Sequence, residues 1–451
     1  MNRLSLPLVL ACGATLSLAL VACSITPQPA TSPLPEGTDT ARPTDGSGHG
    51  AVAGAVEVAE AQLQLATVSA DGETSLLDLI DGGERALGSV PAPERVTTDG
   101  RYVFSDSGSG VAITDGGAWT WDHGDHFHFY RAEPAQIGIL PGEGPAAIAG
   151  DALPTTGSTG VFFEGSGEAV LLDNAALSTG SLVERFRVSE APHAGIAAPL
   201  GDGALVSHVN TDNGATELRV VDASGTPTGQ TAACESPRSA TTTRAGLVVL
   251  CEAGAIVAEA GAPGGSDSHT SEGEGAKGTD IGSTTKDADT EHASLTLVPF
   301  PDAPGGTPEH LAGRKGRPML AGIGHGSDGQ PGIWQLDARA HTWAWIPSSA
   351  ELLRAVAVGD EAEHVVALDA RGSVRVLRSG EELAATPPLL ETADLASDHF
   401  DTLTLTVDSQ RAYINSPSRG LVYEIDYVDS ARIARELAPT VRPDFLAEVG
   451  Q

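Results

Sequence analysis

The chain has 451 residues, and its 60 acidic against 26 basic side chains give a formal net charge of −34. Such an excess of carboxylates repels phosphate groups and argues against nucleic acid as a partner, while it favours solubility and attracts cations. The 54 glycines and 29 prolines, with almost no helical periodicity, predict an all-β chain.

The first residues predict a lipoprotein signal peptide. Asn2 and Arg3 form a short positive region before residues 4–21, a mostly apolar stretch too short and too rich in small residues for a membrane span. It ends in Leu-Val-Ala-Cys at Cys23, which resembles a bacterial lipobox, the motif whose cysteine becomes lipidated. We expect residues 1–22 to be removed and the protein to be extracytoplasmic, attached to the cell membrane only through the lipid on Cys23. The alternative is an ordinary signal peptide with a chance cysteine.

Residues 23–54 are rich in Pro, Thr, Ser and Gly and predict a flexible linker, because this composition cannot bury a core. The remainder, residues 55–451, is expected to form one domain. It contains two cysteines, Cys234 and Cys251. In an oxidising compartment this pair predicts a disulfide, with a thiolate metal site as the alternative.

A repeating unit runs through this domain: a turn, an apolar strand, a glycine-containing hairpin and a second strand. The middle of the first strand in each unit gives eight markers, which are Leu65, Val103, Phe162, Leu205, Val248, Leu320, Val366 and Tyr413. Their spacing of about 40 to 60 residues is typical of four-stranded propeller blades. One longer interval contains residues 261–293, an acidic insert that is expected to be disordered. We predict a single β-propeller, eight-bladed, with seven blades or a pair of β-sandwiches as alternatives.

The segment from Asp122 to His128 predicts a metal site. His123, Asp125, His126 and His128 place three imidazoles and a carboxylate within six positions. Divalent transition metals prefer these groups, and zinc is the first candidate, ahead of copper, nickel and manganese. Asp122 is a further candidate ligand. Either Asp122 or Asp125 could instead accept a hydrogen bond from a ring N–H.

The spacing inside this segment predicts a strand that carries two ligands. On a strand, His126 and His128 face one side, and Phe127 and Phe129 pack on the other. The residues just before His126 would form the loop that leads into the strand. One ligand from that loop and one from another blade would complete a four-coordinate site. The alternative is a surface loop with incidental histidines.

A charged or imidazole side chain lies shortly before the innermost strand in several of the predicted blades. These residues are Arg95, His193, Arg238, His310, Arg354 and His399. Because a propeller brings equivalent positions of its blades together around one channel, we expect this set to supply the missing ligand, with His399 as one candidate.

The stretch from Asp122 to Pro134 resembles the signature segment of the AztD-type periplasmic zinc metallochaperones, and residues 192–203, the two cysteines and residues 443–450 are similar to that family too. The resemblance implies a β-propeller that passes Zn²⁺ to the solute-binding protein of a zinc ABC importer. It implies that His123, Asp125, His126 and His128 form the metal-binding segment and that His193 is the ligand from another blade. The chain departs from the family after Cys234, where a histidine-bearing segment is expected and Arg238, which cannot bind zinc, is found instead.

We therefore expect an extracytoplasmic zinc chaperone that acts as a monomer and is not an enzyme. The sequence has none of the nucleophile elbow, His-Glu-x-x-His, phosphate-loop or dinucleotide motifs that would indicate catalysis. One alternative is an envelope scaffold that binds a protein or a polysaccharide without metal. The other is a zinc hydrolase, which requires an open coordination position.

Overall fold

A computed structural model of the chain describes residues 50–122, 126–211, 213–261, 292–301, 306–396 and 402–451. All of the described residues belong to one compact unit. The predicted signal peptide, nearly all of the linker and insert, and Cys23, His123, Asp125 and His399 lie outside these residues. Where the structure describes the chain, it contains no helix with the length and apolar character of a membrane span.

Short β-strands make up almost all of the regular structure. In chain order, the first half has β1 (Val56–Val58), β2 (Gln64–Val68), β3 (Glu73–Asp78), β4 (Glu84–Ser89), β5 (Arg95–Thr98), β6 (Tyr102–Asp106), β7 (Gly110–Asp115), β8 (Ala118–Asp122), β9 (Phe127–Arg131), β10 (Ala135–Pro141), β11 (Ala146–Gly150), β12 (Ser158–Phe163), β13 (Glu168–Asp173), the one-turn helix α1 (Asn174–Leu177), β14 (Glu184–Ser189), β15 (Ala197–Leu200), β16 (Gly203–Val209), β17 (Thr216–Val221) and β18 (Pro227–Ala233).

The second half continues in the same way. It has β19 (Ser239–Thr243), β20 (Gly246–Cys251), β21 (Gly254–Glu259), β22 (Ser294–Pro299), β23 (Met319–His325), β24 (Pro331–Asp337), β25 (Thr342–Pro347), β26 (Leu352–Ala357), β27 (His364–Asp369), β28 (Val374–Arg378), β29 (Glu381–Ala385), β30 (Leu405–Val407), β31 (Arg411–Ser416), β32 (Leu421–Asp426), β33 (Arg432–Leu437) and β34 (Phe445–Val449).

The strands form antiparallel sheets of consecutive elements, which is the arrangement of propeller blades. Four-stranded sheets have the orders β11-β12-β13-β14, β15-β16-β17-β18, β19-β20-β21-β22, β26-β27-β28-β29 and β30-β31-β32-β33. In a further sheet, β5, β6 and β7 are followed by β10, and β8 and β9 form a separate sheet with β1. The sheet of β23, β24 and β25 has three described strands, and Ala312 bridges to Ala321 on the free side of β23.

Apolar clusters hold each sheet against the next along the chain. Leu76, Val103 and Ala447, for example, pack between the sheet of β2 and that of β6, and Leu65, Tyr413 and Leu446 pack between the sheet of β2 and that of β31. The predicted all-β propeller is therefore confirmed. Its number of blades stays a prediction, because the sheets differ in their number of strands and one of them, β1-β9-β8, follows another pattern.

The marker residues of the sequence repeat lie on equivalent strands. These are β2, β6, β12, β16, β20, β23, β27 and β31, each followed in its sheet by a hairpin partner. All of the markers are buried. In most sheets a shorter strand precedes the marker strand and lies closer to the centre of the ring. The strand that we expected to begin each unit is therefore the second strand of its sheet.

Pairing of β34 with β2 closes the ring, because β34 takes the inner position in a sheet whose other strands come from the opposite end of the described chain. Glu448 of β34 lies opposite Leu65 and is 2% exposed. Its Oε2 accepts a hydrogen bond from Thr406 Oγ1 at 3.0 Å. Burial, with repulsion from Asp408, raises the pKa of Glu448 to about 8.

Cys234 and Cys251 form a disulfide, as predicted, and both cysteines are 1% exposed within an apolar cluster. Cys251 ends β20, and Cys234 follows β18 of the neighbouring sheet. The bond closes a short loop of sequence separation 17 and joins two neighbouring sheets, which hydrogen bonds between Gln230 and Ala293 also link.

Replacing both cysteines, Cys234→Ala with Cys251→Ala, should lower the free energy of unfolding by about 3 kcal/mol, because the closed loop restricts the unfolded chain. Denaturant unfolding of the variant beside the oxidised wild type measures this loss. The reduced wild type is the matched control and should behave as the variant does. Equal unfolding midpoints in all three samples would contradict the expectation.

Glu448→Gln should stabilise the protein at alkaline pH. The folded state keeps a proton on Glu448 up to about pH 8, whereas the unfolded chain releases it near the ordinary value of 4.5. The wild type therefore loses stability as the pH rises from 4.5 to about 8, and glutamine removes this loss. Thermal unfolding should show equal midpoints below pH 4.5 and a growing advantage of the variant up to pH 8. Glu361→Gln, at an exposed position, is the control and should show no such trend.

Candidate metal centre

The histidine segment lies on a hairpin that interrupts one sheet of the propeller. β8 and β9 pair with each other between β7 and β10, and Trp119 lies opposite Tyr130 while Trp121 lies opposite His128. Aromatic and β-branched residues favour such cross-strand pairs. β1 pairs with the other edge of β9, which places Glu57 opposite Tyr130. The centre is thus built on three strands outside the ring.

The structure brings His126 and His128 together. Their Nε2 atoms are 2.9 Å apart and their ring centroids 4.7 Å apart, so both imidazoles lie on one side of the hairpin. Nδ1 of His128 lies 2.7 Å from Glu57 Oε1. Because a carboxylate only accepts hydrogen bonds, Nδ1–H of His128 donates to Glu57, and in the neutral imidazole the lone pair is then on Nε2. That lone pair points at His126.

A column of aromatic rings supports His128. The His128 ring is stacked on Tyr130 at 6.3 Å, and Tyr130 is stacked on the buried Trp119 at 5.3 Å. The guanidinium of Arg101 lies 3.8 Å from the Trp119 ring and is itself paired with Asp115 at 2.7 Å. Burial, with a contribution from the Glu57 carboxylate, raises the pKa of Tyr130. The column connects the hairpin to the end of β7.

The apolar packing lies on the histidine side of the hairpin, not on the side of Phe127 and Phe129 that we expected. Phe127 is 48% exposed, and its main aromatic neighbour is Phe129 at 6.4 Å. The reason is that residues 50–58 cover the histidine side. There Val52 and Ala55 pack with Trp119 and Tyr130. The period-2 pattern predicts the two sides correctly but does not say which of them is covered.

Asp122, a candidate ligand, forms an ion pair with Arg244, whose Nη2 donates to Asp122 Oδ2. Arg244 follows β19 and therefore belongs to another sheet. Its guanidinium also lies 5.7 Å from the Phe127 ring. The pair ties the hairpin to the rest of the propeller, a contact that the sequence repeat does not reveal.

His193 lies at the other end of the inner strands. In the sheet that the hairpin interrupts, Arg95 at the start of β5 pairs with Asp106 at one end of β6. The hairpin begins after Asp115, which pairs with Tyr102 at the opposite end of β6. Glu164 interacts electrostatically with both Arg95 and His193, so His193 shares the Arg95 end.

Both ring nitrogens of His193 have partners there. Nδ1 lies 2.6 Å from Ala191 O, and Nε2 lies 2.9 Å from Ser207 Oγ. The structure does not bring His193 to His126 and His128. The remaining candidates, His123, Asp125 and His399, lie outside the described residues.

Three other histidines in the described ranges are each paired with one carboxylate. These pairs are His208 with Glu190, His325 with Glu351 and His364 with Asp360. No group of three or more His, Cys, Asp or Glu side chains in the described ranges is arranged to hold a metal ion. The converging pair on the hairpin therefore supplies two donors, and Glu57, a residue that sequence reasoning missed, holds one of them.

Comparison with known proteins gives one similar curated sequence, and no family model matches the chain. The zinc chaperone AztD of Citrobacter koseri is 27% identical over 191 residues, which span 41% of this chain and 44% of that protein. The alignment thus covers less than half of the length of the curated relative.

The fold comparison covers more of the chain. The crystal structure of Citrobacter koseri AztD matches with a TM-score of 0.65 at 20% identity, over 86% of this chain and 98% of that one. Apo AztD from the same organism matches with a TM-score of 0.64 at 18% identity and the same coverage. The chain shares the AztD fold, and the predicted resemblance to AztD-type proteins is confirmed.

Proposed function

We propose that the protein is an extracytoplasmic zinc metallochaperone that binds Zn²⁺ on the β8–β9 hairpin and delivers it to the solute-binding protein of a zinc ABC importer. The observation that carries the proposal is the convergence of His126 Nε2 and His128 Nε2, 2.9 Å apart, on a hairpin outside the ring. The similarity to AztD, which is named a zinc chaperone, supports it.

The geometry of the two imidazoles fits zinc. Zn–N bonds of about 2.0 to 2.1 Å in a tetrahedral site separate two nitrogens by about 3.3 Å. The two Nε2 atoms therefore need to move apart by only a few tenths of an ångström, and the Nε2 proton that they share must leave. His123 and Asp125 are proposed to complete the four-coordinate site. His193 is not part of this proposal, because it lies at the other end of the inner strands.

Charge favours capture of the cation. The net charge of −34 attracts divalent cations from solution, and Glu57 places a carboxylate beside His128. Asp122 is neutralised by Arg244 and serves, in this proposal, to hold the hairpin. Imidazole and carboxylate ligands bind zinc less tightly than thiolate cages suited to permanent structural sites, which is compatible with release.

Transfer would proceed by ligand exchange. The hairpin lies at the edge of the ring, where a partner's ligands can approach the metal while His126 and His128 still hold it. The partner's ligands then replace the donor groups one after another, and no covalent bond of a substrate is broken. The proposed role is therefore not enzymatic.

The proposed location of the protein is based on its sequence. Lipidation of Cys23 and the linker of residues 23–54 would tether a monomeric propeller, residues 55–451, to the cell membrane near the importer. In this arrangement the linker lets the hairpin reach a partner without a membrane span of its own.

The purified protein should retain about one zinc ion per chain after zinc loading and desalting. His126→Ala combined with His128→Ala should retain almost none, because the converging donor pair is lost. Elemental analysis measures both. The matched control is His325→Ala with His341→Ala, which removes two histidines from another sheet and should leave the zinc content unchanged.

Two results would contradict the proposal. If wild type and the double variant are both free of metal, the chain is better described as an envelope scaffold that binds a protein or a polysaccharide. If the loaded protein hydrolyses an ester or a phosphoester and a chelator abolishes the turnover, the chain is a zinc hydrolase.

Ligand exchange predicts the kinetics of delivery. With a zinc-free solute-binding protein of a zinc importer as acceptor, the transfer rate should rise with acceptor concentration, because the acceptor enters the step that releases the metal. Stopped-flow fluorescence of the acceptor measures this rate. A small chelator that captures only free zinc is the control, and its rate should not depend on concentration. A rate that is equally flat for the solute-binding protein would mean simple dissociation instead of exchange.

A further inference from the structure

We propose that Glu57 is a positioning residue of the metal centre, whose carboxylate fixes the tautomer and ring orientation of His128. This inference rests on the proposed function. Its basis is the contact of 2.7 Å between Glu57 Oε1 and His128 Nδ1, two atoms that belong to residues 71 positions apart. Glu57 lies outside the histidine segment, and no sequence motif includes it.

Backbone pairing delivers Glu57 to this position. In the pairing of β1 with β9, Val56 lies opposite Arg131, Glu57 opposite Tyr130 and Val58 opposite Phe129. Glu57 and Tyr130 therefore share a side of the sheet with His128, which is two residues before Tyr130. The carboxylate is diagonal to the imidazole, a distance that a glutamate side chain spans.

The segment before β1 is held on the hairpin as well. The indole Nε1 of Trp119 donates to Gly50 O at 3.1 Å, and Val52 and Ala55 pack against Trp119 and Tyr130. Gly50 has a φ of +77°, and a Cβ there would lie 2.3 Å from the Trp121 ring. Only glycine fits this approach. Residues 50–58, the strap, thus cover the histidine side of the hairpin and hold Glu57 in register.

The chemical consequence concerns which nitrogen can bind. Neutral imidazole carries its proton on one nitrogen, and only the other has a lone pair for a metal. Donation of Nδ1–H to Glu57 keeps Nε2 of His128 unprotonated and aimed at Nε2 of His126. A carboxylate on the distal nitrogen of a histidine ligand also makes it a better donor.

Glu57→Ala in the full chain should weaken zinc binding about 10- to 100-fold, the usual loss when such a partner of a histidine ligand is removed. Competition with a zinc indicator dye measures the affinity. Glu57→Gln keeps an oxygen that accepts Nδ1–H and should recover most of the affinity. Glu190→Ala is the matched control, because it breaks the same kind of contact, with His208 at 2.6 Å, in another sheet and should leave zinc affinity unchanged.

A second readout is independent of zinc. Nitrogen-15 NMR of the metal-free protein reports which ring nitrogen of His128 carries the proton. Wild type and Glu57→Gln should show protonated Nδ1, and Glu57→Ala should show a mixture of the two tautomers. Thermal unfolding checks that all variants are folded, because an unfolded chain would also show a mixture of tautomers.

The outcomes separate the two proposals. If wild type binds no zinc, the proposed function fails, and the NMR readout still tests the contact of Glu57 with His128. If wild type binds zinc through His126 and His128 but Glu57→Ala binds equally well with the same tautomer, the positioning role is overturned. If Glu57→Gln binds as weakly as Glu57→Ala, Glu57 is a metal ligand and not a positioning residue.

Discussion

Pairing of β34 with β2 is the constraint on which the rest of the molecule depends. A stack of sheets that pack only on their sequence neighbours has two open ends, and each end leaves an apolar face in water. Because β34 joins the sheet of β2, each open face packs on another sheet, as Leu65 and Tyr413 show on one side of the β2 sheet and Leu76 and Val103 on the other. The closed ring gives the hairpin a rigid base.

The hairpin that carries the candidate metal centre contacts this base through polar and aromatic side chains. The buried pair of Arg101 with Asp115 fixes the point where the chain leaves β7, and the stacked rings of Trp119 and Tyr130 continue from Arg101 to His128. A buried ion pair adds little net stability but costs much to break, so its value here lies in orientation. The strap packs on the same two rings through Val52 and Ala55.

Much of the fold could be predicted because the second strand of each sheet is buried on both faces and gives a recurring apolar run, as Val103 and Val366 show. Period-2 alternation likewise predicted that His126 and His128 share a side. The prediction that His193 is a ligand used the same repeat but did not take strand direction into account. Residues before an inner strand lie at one end of the ring, and a hairpin inserted after the third strand, at Asp115, lies at the other. Counting strands up to the insertion would have revealed this.

The contact between Glu57 and His128 could not be predicted, since a pairing between segments 71 positions apart leaves no local pattern, and Val-Glu-Val alone indicates only a strand. This placement matters for the proposed zinc site, which would have to retain zinc and also release it. The hairpin, the strap and their cluster of Val52, Ala55, Trp119 and Tyr130 are separate from the clusters between the sheets. The geometry of the donors can therefore change, by substitution or on contact with an acceptor, without loss of the apolar contacts that keep the ring folded.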